Sequence, residues 1–468
     1  MPPNRCLILA DDMTGGGDTG AQFAKKRLRT LLVTAGASRR LPLDDNRWPV
    51  LVVNTHTRAM EAQQARRRVA EFLGQLELER FGIVYKKIDS TLRGNIGAEI
   101  DATLEAMGHP VALLTPAYPE MGRTVENGVL KVRGVPVAKT EAAHDPVCPV
   151  TDSRVVHLLQ RQTSSRIRLI EHRHVTTTPA ELQAAVEREI GAGGRLLVFD
   201  CLERRDLAAI ANLGFRLTPR PLFVGSAGLA EAVAAQVSAR AAGRSAPRPP
   251  VKTAGHAIVV CGSASEVSRR QLARLGQGLA IPRVEIRPGL ACRFSSKEEP
   301  ARRTIIRTTA EALRAGSVIL SVSAERLDEP DRPAHATALA VAEALGAIAK
   351  KAFSMSGIDA GESALVLTGG DTAMAVLQAL GTDGVEIGCE PIEGIMAGRV
   401  RGGLCSGAQV ITKAGAFGGD DAFGDACPDP LRRDAKFFSG LLDAGALLGH
   451  GVAALRRRDA VPVPFSRL

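Results

Sequence analysis

The chain has 468 residues, of which 45% are hydrophobic and only 3% aromatic. This length predicts two large domains, and Leu, Val, Ile and Ala must supply most of their core packing. The formal net charge of +10 is explained by a solvated, arginine-rich surface, and the scarcity of aromatic rings argues against a platform that stacks nucleic-acid bases.

Short apolar runs alternate with longer amphipathic segments along the first half of the chain. This alternation is typical of a parallel sheet covered by helices. A helix is predicted over Leu229–Arg240, after the last of these strands. The predicted strands are Cys6–Ala10, Arg29–Thr34, Val50–Asn54, Ile83–Lys87, Val111–Thr115, Leu196–Asp200 and Leu222–Gly225.

A break in this pattern lies between Ala241 and Gly255, where Pro, Gly, Arg and Ser replace the apolar periodicity. We interpret it as an interdomain linker. A second alternation follows, with a long helix near Ala334–Ala352. Its predicted strands are Ala257–Cys261, Ser317–Ser321, Ala364–Thr368, Val385–Ile387 and Gln409–Lys413.

The predicted fold is therefore α/β, with two domains that are each a mainly parallel sheet flanked by helices. The first domain covers residues 1–240 and the linker 241–255. The second domain covers residues 256–430, and a C-terminal extension with helical spacing covers 431–468.

Eight cysteines are scattered along the chain without a CxxC pair, which suits a reducing cytoplasm. His172 and His174 form an HxH pair with no Cys or His cluster nearby, so we interpret them as part of a solvated strand or loop. No apolar stretch is long enough to span a membrane. The first apolar run ends at Asp11-Asp12, which indicates a strand and not a secretory signal.

The first strand runs into two acids and then a glycine-rich stretch, in which Gly15, Gly17 and Gly20 fit GxGxxG literally. Against a dinucleotide site, four residues separate the strand from its first glycine, and no acid follows the second strand. We interpret the segment as a carboxylate-bearing loop at the carboxyl edge of the sheet. There Asp11 and Asp12 would contact sugar hydroxyls or accept a proton, although either could instead cap the next helix.

A second cluster of polar side chains surrounds the end of the predicted strand Ile83–Lys87. Recognition of a small polyhydroxy anion requires cations for its carboxylate, and hydroxyl or amide groups for its alcohols. Arg58, which follows another strand, is expected at the same edge. A structural turn with incidental charges is the alternative. The cluster contains Lys87, Asp89, Ser90, Thr91, Arg93 and Asn95.

Three Gly- or Ser-containing turns follow strands in the second half. Backbone N–H groups at the start of a helix bind phosphate, so these turns predict a phosphate site. No GxxxxGK[ST] string exists, which excludes a P-loop NTPase. The turns contain Ser263 and Ser265; Thr368, Gly369, Gly370 and Asp371; and Lys413 and Gly415.

These strings, in this order, resemble the four-carbon acid sugar kinase family, long catalogued as a domain of unknown function. The resemblance extends to about Asp421. It implies a sugar-acid-binding N-terminal domain and an ATP-binding C-terminal domain, with reaction in the cleft between them. The segment "KKIDSTLRGNIGAE" looks more like D-threonate and D-erythronate kinases than 3-oxo-tetronate kinases. The resemblance rests on "LADDMTGGGDTGA", "KKIDSTLRGNIGAEI", "PAYPEMGRTVENGVL", "DPVCPV", "LTGGDTA" and "TKAGAFG".

The resemblance implies an ATP- and Mg²⁺-dependent kinase, whose Mg²⁺ ligands it does not identify. Asp12 is expected to be the acid nearest the reacting hydroxyl. Arg58, Lys87 and Arg93 would hold the substrate's carboxylate, while the other residues of the second cluster would bind its hydroxyls and the three turns would hold ATP. The C-terminal extension suggests an added dimer or docking helix. An NAD-linked sugar-acid dehydrogenase and a non-catalytic sugar-acid sensor are the alternatives.

Overall fold

The computed structural model describes residues 5–33, 47–108, 110–145, 147–240, 254–263, 265–293, 300–323, 334–392 and 394–413. The predicted C-terminal extension, Gly415 and most of the predicted linker lie outside these residues. Among the described helices, none is both long and apolar enough to cross a membrane.

Strands and helices alternate along most of the described chain, as the apolar periodicity predicts, although the strand Ile395–Arg401 was not predicted. The strands are β1 Cys6–Ala10, β2 Thr30–Val33, β3 Val50–Asn54, β4 Ile83–Lys87, β5 Ala112–Thr115, β6 Arg123–Glu126, β7 Val129–Val132, β8 Val135–Pro136, β9 Ile167–Ile170, β10 Leu196–Phe199, β11 Leu222–Gly225, β12 His256–Cys261, β13 Arg283–Ile286, β14 Ser317–Val322, β15 Ser363–Thr368, β16 Gly384–Ile392, β17 Ile395–Arg401 and β18 Gln409–Lys413. The α-helices are α1 Met13–Lys25, α2 Ala62–Leu73, α3 Ile96–Met107, α4 Val155–Gln160, α5 His172–Val175, α6 Pro179–Gly191, α7 Arg204–Arg216, α8 Ala227–Arg240, α9 Glu266–Leu279, α10 Pro288–Cys292, α11 Pro300–Ala315, α12 Ala334–Ser356 and α13 Gly370–Ala379.

A 15-stranded sheet runs through both halves in the order β13-β14-β12-β15-β18-β17-β16-β2-β3-β1-β4-β11-β5-β10-β9. Within this sheet the strands of the first half pair with one another in parallel, as do β13, β14, β12, β15 and β18 of the second half. The prediction of two mainly parallel sheets is therefore confirmed. The hairpin β16–β17 joins them, because β16 pairs antiparallel with β2 and β17 pairs antiparallel with β18.

Both outermost strands, β9 and β13, were missed by the sequence analysis. Each lies at an end of the sheet and is only partly buried, so neither carries the continuous apolar run that marks a central strand. The small separate sheet β6-β7-β8 was missed for the same reason, since its strands are half-exposed. The HxH pair belongs to the short helix α5, which corrects the expectation of a strand or loop.

Asp11 and Asp12 lie in a short loop after β1, as predicted, but the glycine-rich stretch that follows forms helix α1, so the expected loop ends at Asp12. The glycines of α1 permit close packing against the hairpin of the second half. A Cβ atom built at Gly20 would lie 2.4 Å from Ile387 Cδ1, and one at Gly17 would lie 3.4 Å from Met396. Helix α1 is thereby held against strands from both halves, and its N-terminus lies where they meet.

Candidate functional site

Asp11 and Asp12 directly follow β1 and are held by one guanidinium. Arg58 donates from Nε to Asp11 Oδ2 over 2.7 Å and from Nη2 to Asp11 Oδ1 over 3.0 Å. The same Nη2 donates to Asp12 Oδ1 over 2.7 Å. Burial alone would raise the pKa of Asp11, but the charge and hydrogen bonds of Arg58 hold it below its ordinary value. Both acids are therefore fixed in position before any ligand arrives.

Asp12 is also the N-cap of α1. Its Oδ1 accepts a hydrogen bond of 3.0 Å from the backbone N–H of Gly15. The sequence analysis offered ligand contact and helix capping as alternatives for this residue, yet capping occupies only Oδ1. The other oxygen, Oδ2, lies 4.0 Å from the position that a Cβ atom would take at Gly370. Asp12 therefore caps its helix and also faces the second half of the chain.

A second arginine, Arg93, and a further acid, Asp89, follow β4, and a loop after β8 adds Asp145. Arg93 donates from Nε and Nη2 to both carboxylate oxygens of Asp89, at 2.9 and 3.0 Å. Its Nη1 donates to Asp145 over 2.9 Å. Burial would raise the pKa of Asp89, but Arg58, Arg93 and Lys87 together hold it well below its ordinary value. Asp145 is a site residue that the sequence analysis missed, although it begins the quoted "DPVCPV" string.

Lys87 ends β4 and lies over the start of α1. A Cβ atom built at Gly15 would lie 2.8 Å from the Lys87 Nζ, and only 5% of Lys87 is exposed. Below it, the buried Lys86 and Glu99 form a salt bridge of 2.9 Å, with side chains that are each 1% exposed. The Cβ atom built at Gly15 would also lie 2.5 Å from Asp12 Oδ1, so a side chain at position 15 would clash with both the carboxylate and the ammonium.

The remaining polar residues of this cluster differ in role. Asn95 donates from Nδ2 to the backbone carbonyls of Thr57 and Met60, at 3.2 and 2.7 Å, so its amide nitrogen secures the loop after β3. Thr91 donates its hydroxyl to Asp89. Ser90 is half-buried beside them. All the sequence-predicted residues of the first half therefore lie at one edge of the sheet, as expected. Several of them bond to one another, which leaves fewer of their polar groups available to a ligand.

In the second half, the neighbouring strands β12, β15 and β18 end together. Cys261 is in register with Thr368, and Thr368 with Lys413. Thr368 is fully buried, and its hydroxyl has no hydrogen-bond partner in the described part of the chain. Lys413 is 1% exposed, and burial lowers its pKa to about 8. Ser265, by contrast, accepts from the Ser268 N–H as the N-cap of α9.

The turn after β15 contains two glycines, which allow a ligand to approach its backbone closely. Gly369 has a φ of +96°, which glycine adopts without strain, and Gly370 begins α13. Asp371 lies in the first helical turn. A Cβ atom at Gly262 would lie 2.4 Å from Thr372 Oγ1, so the turn after β12, which contains Ser263, packs directly against this one. The first N–H groups of α13 have no partner within the helix, which is the arrangement that an anion site requires.

The edge that follows β1, β3 and β4 in the first half faces the edge that follows β12, β15 and β18 in the second half. A Cβ atom at Gly370 would lie 3.2 Å from Thr14 Oγ1 in the first turn of α1. His56 Nε2, from the loop after β3, lies 4.0 Å from Asp371 Oδ1. The N-termini of α1 and α13 therefore converge, with Asp12 between them.

Two family models match the chain, one in each half. The family model described as a sugar-binding N-terminal domain matches residues 6–233, and the one described as a nucleotide-binding C-terminal domain matches residues 258–423. The fold, the two facing edges and these matches define the class: a protein that joins a sugar-binding α/β domain to a nucleotide-binding one.

Several curated relatives of this chain are kinases. A D-threonate kinase of Bordetella bronchiseptica is 37% identical over 88% of this chain and 94% of its own length. A D-threonate kinase of Salmonella typhimurium is 34% identical over 90% and 97%. A D-erythronate kinase of Heliobacterium modesticaldum is 30% identical over 89% and 94%. The chain belongs to the four-carbon acid sugar kinase family, which confirms the resemblance and favours a kinase over a dehydrogenase or a sensor.

A solved structure supports the fold. A Salmonella typhimurium protein, provisionally described as a tRNA synthase, superimposes with a TM-score of 0.73 at 26% identity. The superposition covers 90% of this chain and 98% of that protein. The two-domain arrangement thus extends over nearly the whole length of both chains.

Proposed function

We propose that this protein transfers the γ-phosphate of ATP to a hydroxyl of a four-carbon sugar acid of the D-threonate or D-erythronate type. One observation carries the proposal: the phosphate-type turn at Gly369-Gly370 abuts the Asp12 carboxylate of the sugar-binding half. A phosphoryl donor at this turn and an alcohol beside Asp12 would be in direct contact. Such positioning is the main requirement of phosphoryl transfer.

ATP would lie along the carboxyl ends of β12, β15 and β18, with its phosphates at the N-terminus of α13. Helix α13 offers backbone N–H groups and the positive end of its dipole. Because residues 369 and 370 are glycines, no side chain there obstructs the approach of a phosphate. Lys413 ends β18 at the same place and would add a positive charge. We propose Ser263 and Thr368 as further contacts of the nucleotide.

The sugar acid would lie on the edge formed after β1, β3 and β4. Arg58 and Arg93 each donate three guanidinium hydrogen bonds to protein carboxylates, so only their remaining N–H groups are available to a substrate carboxylate. Lys87 supplies a point charge above α1. Because the arginines are pre-oriented by their acids, little side-chain entropy is lost when the substrate binds.

Asp12 is the residue that we propose as general base. Gly15 and Arg58 hold its Oδ1, while Oδ2 faces Gly370. Oδ2 would accept the proton of the substrate hydroxyl as the new O–P bond forms. The bond between the γ-phosphorus and its bridging oxygen breaks in the same displacement, and ADP leaves with that electron pair.

Mg²⁺ fits this site as a companion of the nucleotide. No group of three or more His, Cys, Asp or Glu residues in the described ranges could cage a metal ion. Mg²⁺ usually binds one or two carboxylates together with substrate phosphates and water. Asp371, whose side chain is 55% exposed in the first turn of α13, would supply such a carboxylate. The ion would neutralise phosphate charge.

An ADP-release assay with purified protein, ATP and Mg²⁺ tests this function against a panel of substrates. The panel holds D-threonate, D-erythronate, their enantiomers, 3-oxo-tetronates and the matching uncharged alcohols. We expect turnover with D-threonate or D-erythronate and much weaker turnover with the alcohols. Turnover with none of the four-carbon acids would overturn the proposal, and preference for a 3-oxo-tetronate would correct the substrate.

A further inference from the structure

The loop after β3 holds one residue in an unusual backbone conformation. His56 has a φ of +54°, in the left-handed region that few residues other than glycine adopt. Its backbone N–H donates over 3.0 Å to Oδ1 of Asn54, a fully buried side chain. On either side of it, Thr55 and Thr57 share a hydrogen bond of 2.8 Å. The loop is therefore fixed around His56 by buried side chains.

This conformation directs the imidazole out of the sugar-binding half. Its Nε2 lies 4.0 Å from Asp371 Oδ1, at the start of α13, and 38% of the side chain is exposed. The capping of Asp12 and the pairing of Arg58 do not involve His56. Strained residues that are held by surrounding structure are concentrated at functional sites. Because the imidazole of His56 points toward the start of α13, we expect it to contact a ligand that binds there.

We propose that His56 is a nucleotide-binding residue supplied by the sugar-binding half, whose Nε2 donates a hydrogen bond to a β- or γ-phosphate oxygen of ATP. This inference rests on the proposed function, because it places the phosphates at the N-terminus of α13. Asp371 marks that end of the helix, and His56 reaches it from the other half, beside Asp12 and Thr14. The phosphate site is then complete only when both halves are present.

Two substitutions at position 56 distinguish an effect of side-chain length from an effect of the backbone conformation. His56→Asn retains a residue type that tolerates a positive φ, but its side chain is too short to cross to α13. His56→Gln restores both length and a neutral N–H donor. His157→Asn, on the exposed face of α4, is the matched control for loss of an imidazole elsewhere.

Calorimetry on the purified full-length variants tests the proposal with three ligands: ATP, AMP and the sugar acid. We expect His56→Asn to weaken ATP binding by at least about tenfold, the lower end of the range for one hydrogen bond to a charged group. AMP, which lacks the outer phosphates, and the sugar acid should bind as they do to the unmodified protein. His56→Gln should recover most of the ATP affinity, and His157→Asn should lose none.

Unchanged ATP affinity in His56→Asn would overturn the proposal, as would an equal loss for AMP or a loss confined to the sugar acid. The unmodified protein tests the proposed function separately. If it binds no ATP at all, the kinase assignment fails. If it binds ATP and only the variant comparison fails, His56 is excluded while the kinase assignment stands.

Discussion

The two edges that meet at Asp12 are built from different chemical groups. The edge of the first half consists of charged side chains that are locked in pairs, such as Arg58 with Asp11 and Arg93 with Asp89. The edge of the second half consists mainly of backbone at Gly369 and Gly370. Side-chain truncation should therefore impair the first edge, whereas added side-chain volume should impair the second.

The buried ion pairs of the first edge require desolvation of charged groups, which is unfavourable in free energy, whereas the glycine turns of the second edge do not. Removing charges from water is unfavourable, and a buried ion pair often contributes little net stability. Backbone pairing already holds β1, β3 and β4 side by side, and the buried Lys86–Glu99 pair and the arginine–carboxylate groups lie at this edge. We infer that this network serves to orient donors and acceptors toward the substrate.

The largest effect should follow from Asp12→Asn, which acts where the two edges meet. The amide can still cap α1, and Arg58 keeps its two bonds to Asp11. The basicity is lost, so kcat should fall by at least about a hundredfold. Sugar-acid Kd and melting temperature should change little. If kcat survives while the sugar-acid Kd rises, Asp12 only binds substrate, and Asp89 becomes the next candidate for the base.

Arg93→Ala tests the charged edge. It removes the N–H donors that remain after Asp89 and Asp145 are satisfied. Binding of the sugar acid should weaken by about 1.5–3 kcal/mol, the scale of a charge-assisted hydrogen bond. Calorimetry with the matching sugar alcohol is the control, since the alcohol has no carboxylate to lose. An equal loss for both ligands would show that Arg93 maintains the edge and does not contact the carboxylate.

Gly370→Val tests the backbone edge. Its Cβ would press on Thr14 and fill the space in front of the α13 amides. The KM for ATP should rise by about tenfold, comparable to one lost hydrogen bond to a charged group. The KM for the sugar acid should move much less. Gly191→Val is the matched control, because a Cβ there meets nothing within 4 Å. Unchanged ATP kinetics would place the phosphates elsewhere.

The smallest effect concerns Lys413 and the pH dependence of stability. Burial lowers its pKa from 10.5 to about 8, so between these values the unfolded chain binds more protons than the folded protein. This group should therefore make the folded protein more stable as pH rises from about 8 to about 10.5. Its destabilising effect is complete below that window.

Lys413→Met should remove this dependence without changing the size of the buried side chain greatly. Urea unfolding of both proteins across the window should show the variant's stability advantage shrinking as pH rises. A constant difference between the two curves would contradict the assignment of this titration to Lys413.

Much of the fold follows from local sequence. The strands β1, β3, β4 and β11 begin and end at the predicted residues, because central parallel strands are continuous apolar runs bounded by polar residues. The same argument places Asp11, Asp12 and Lys87 at one edge, since the carboxyl ends of parallel strands lie together.

Only the tertiary structure decided how the halves meet. The pairing of β16 with β2, the approach of Gly370 to Asp12, and the contacts of Asp145 and His56 all join segments far apart along the chain. Apolar periodicity reports which residues a segment buries, but it carries no information about which distant segment covers them. The sequence shows which charged residues follow each strand, whereas the residues that they contact depend on tertiary packing.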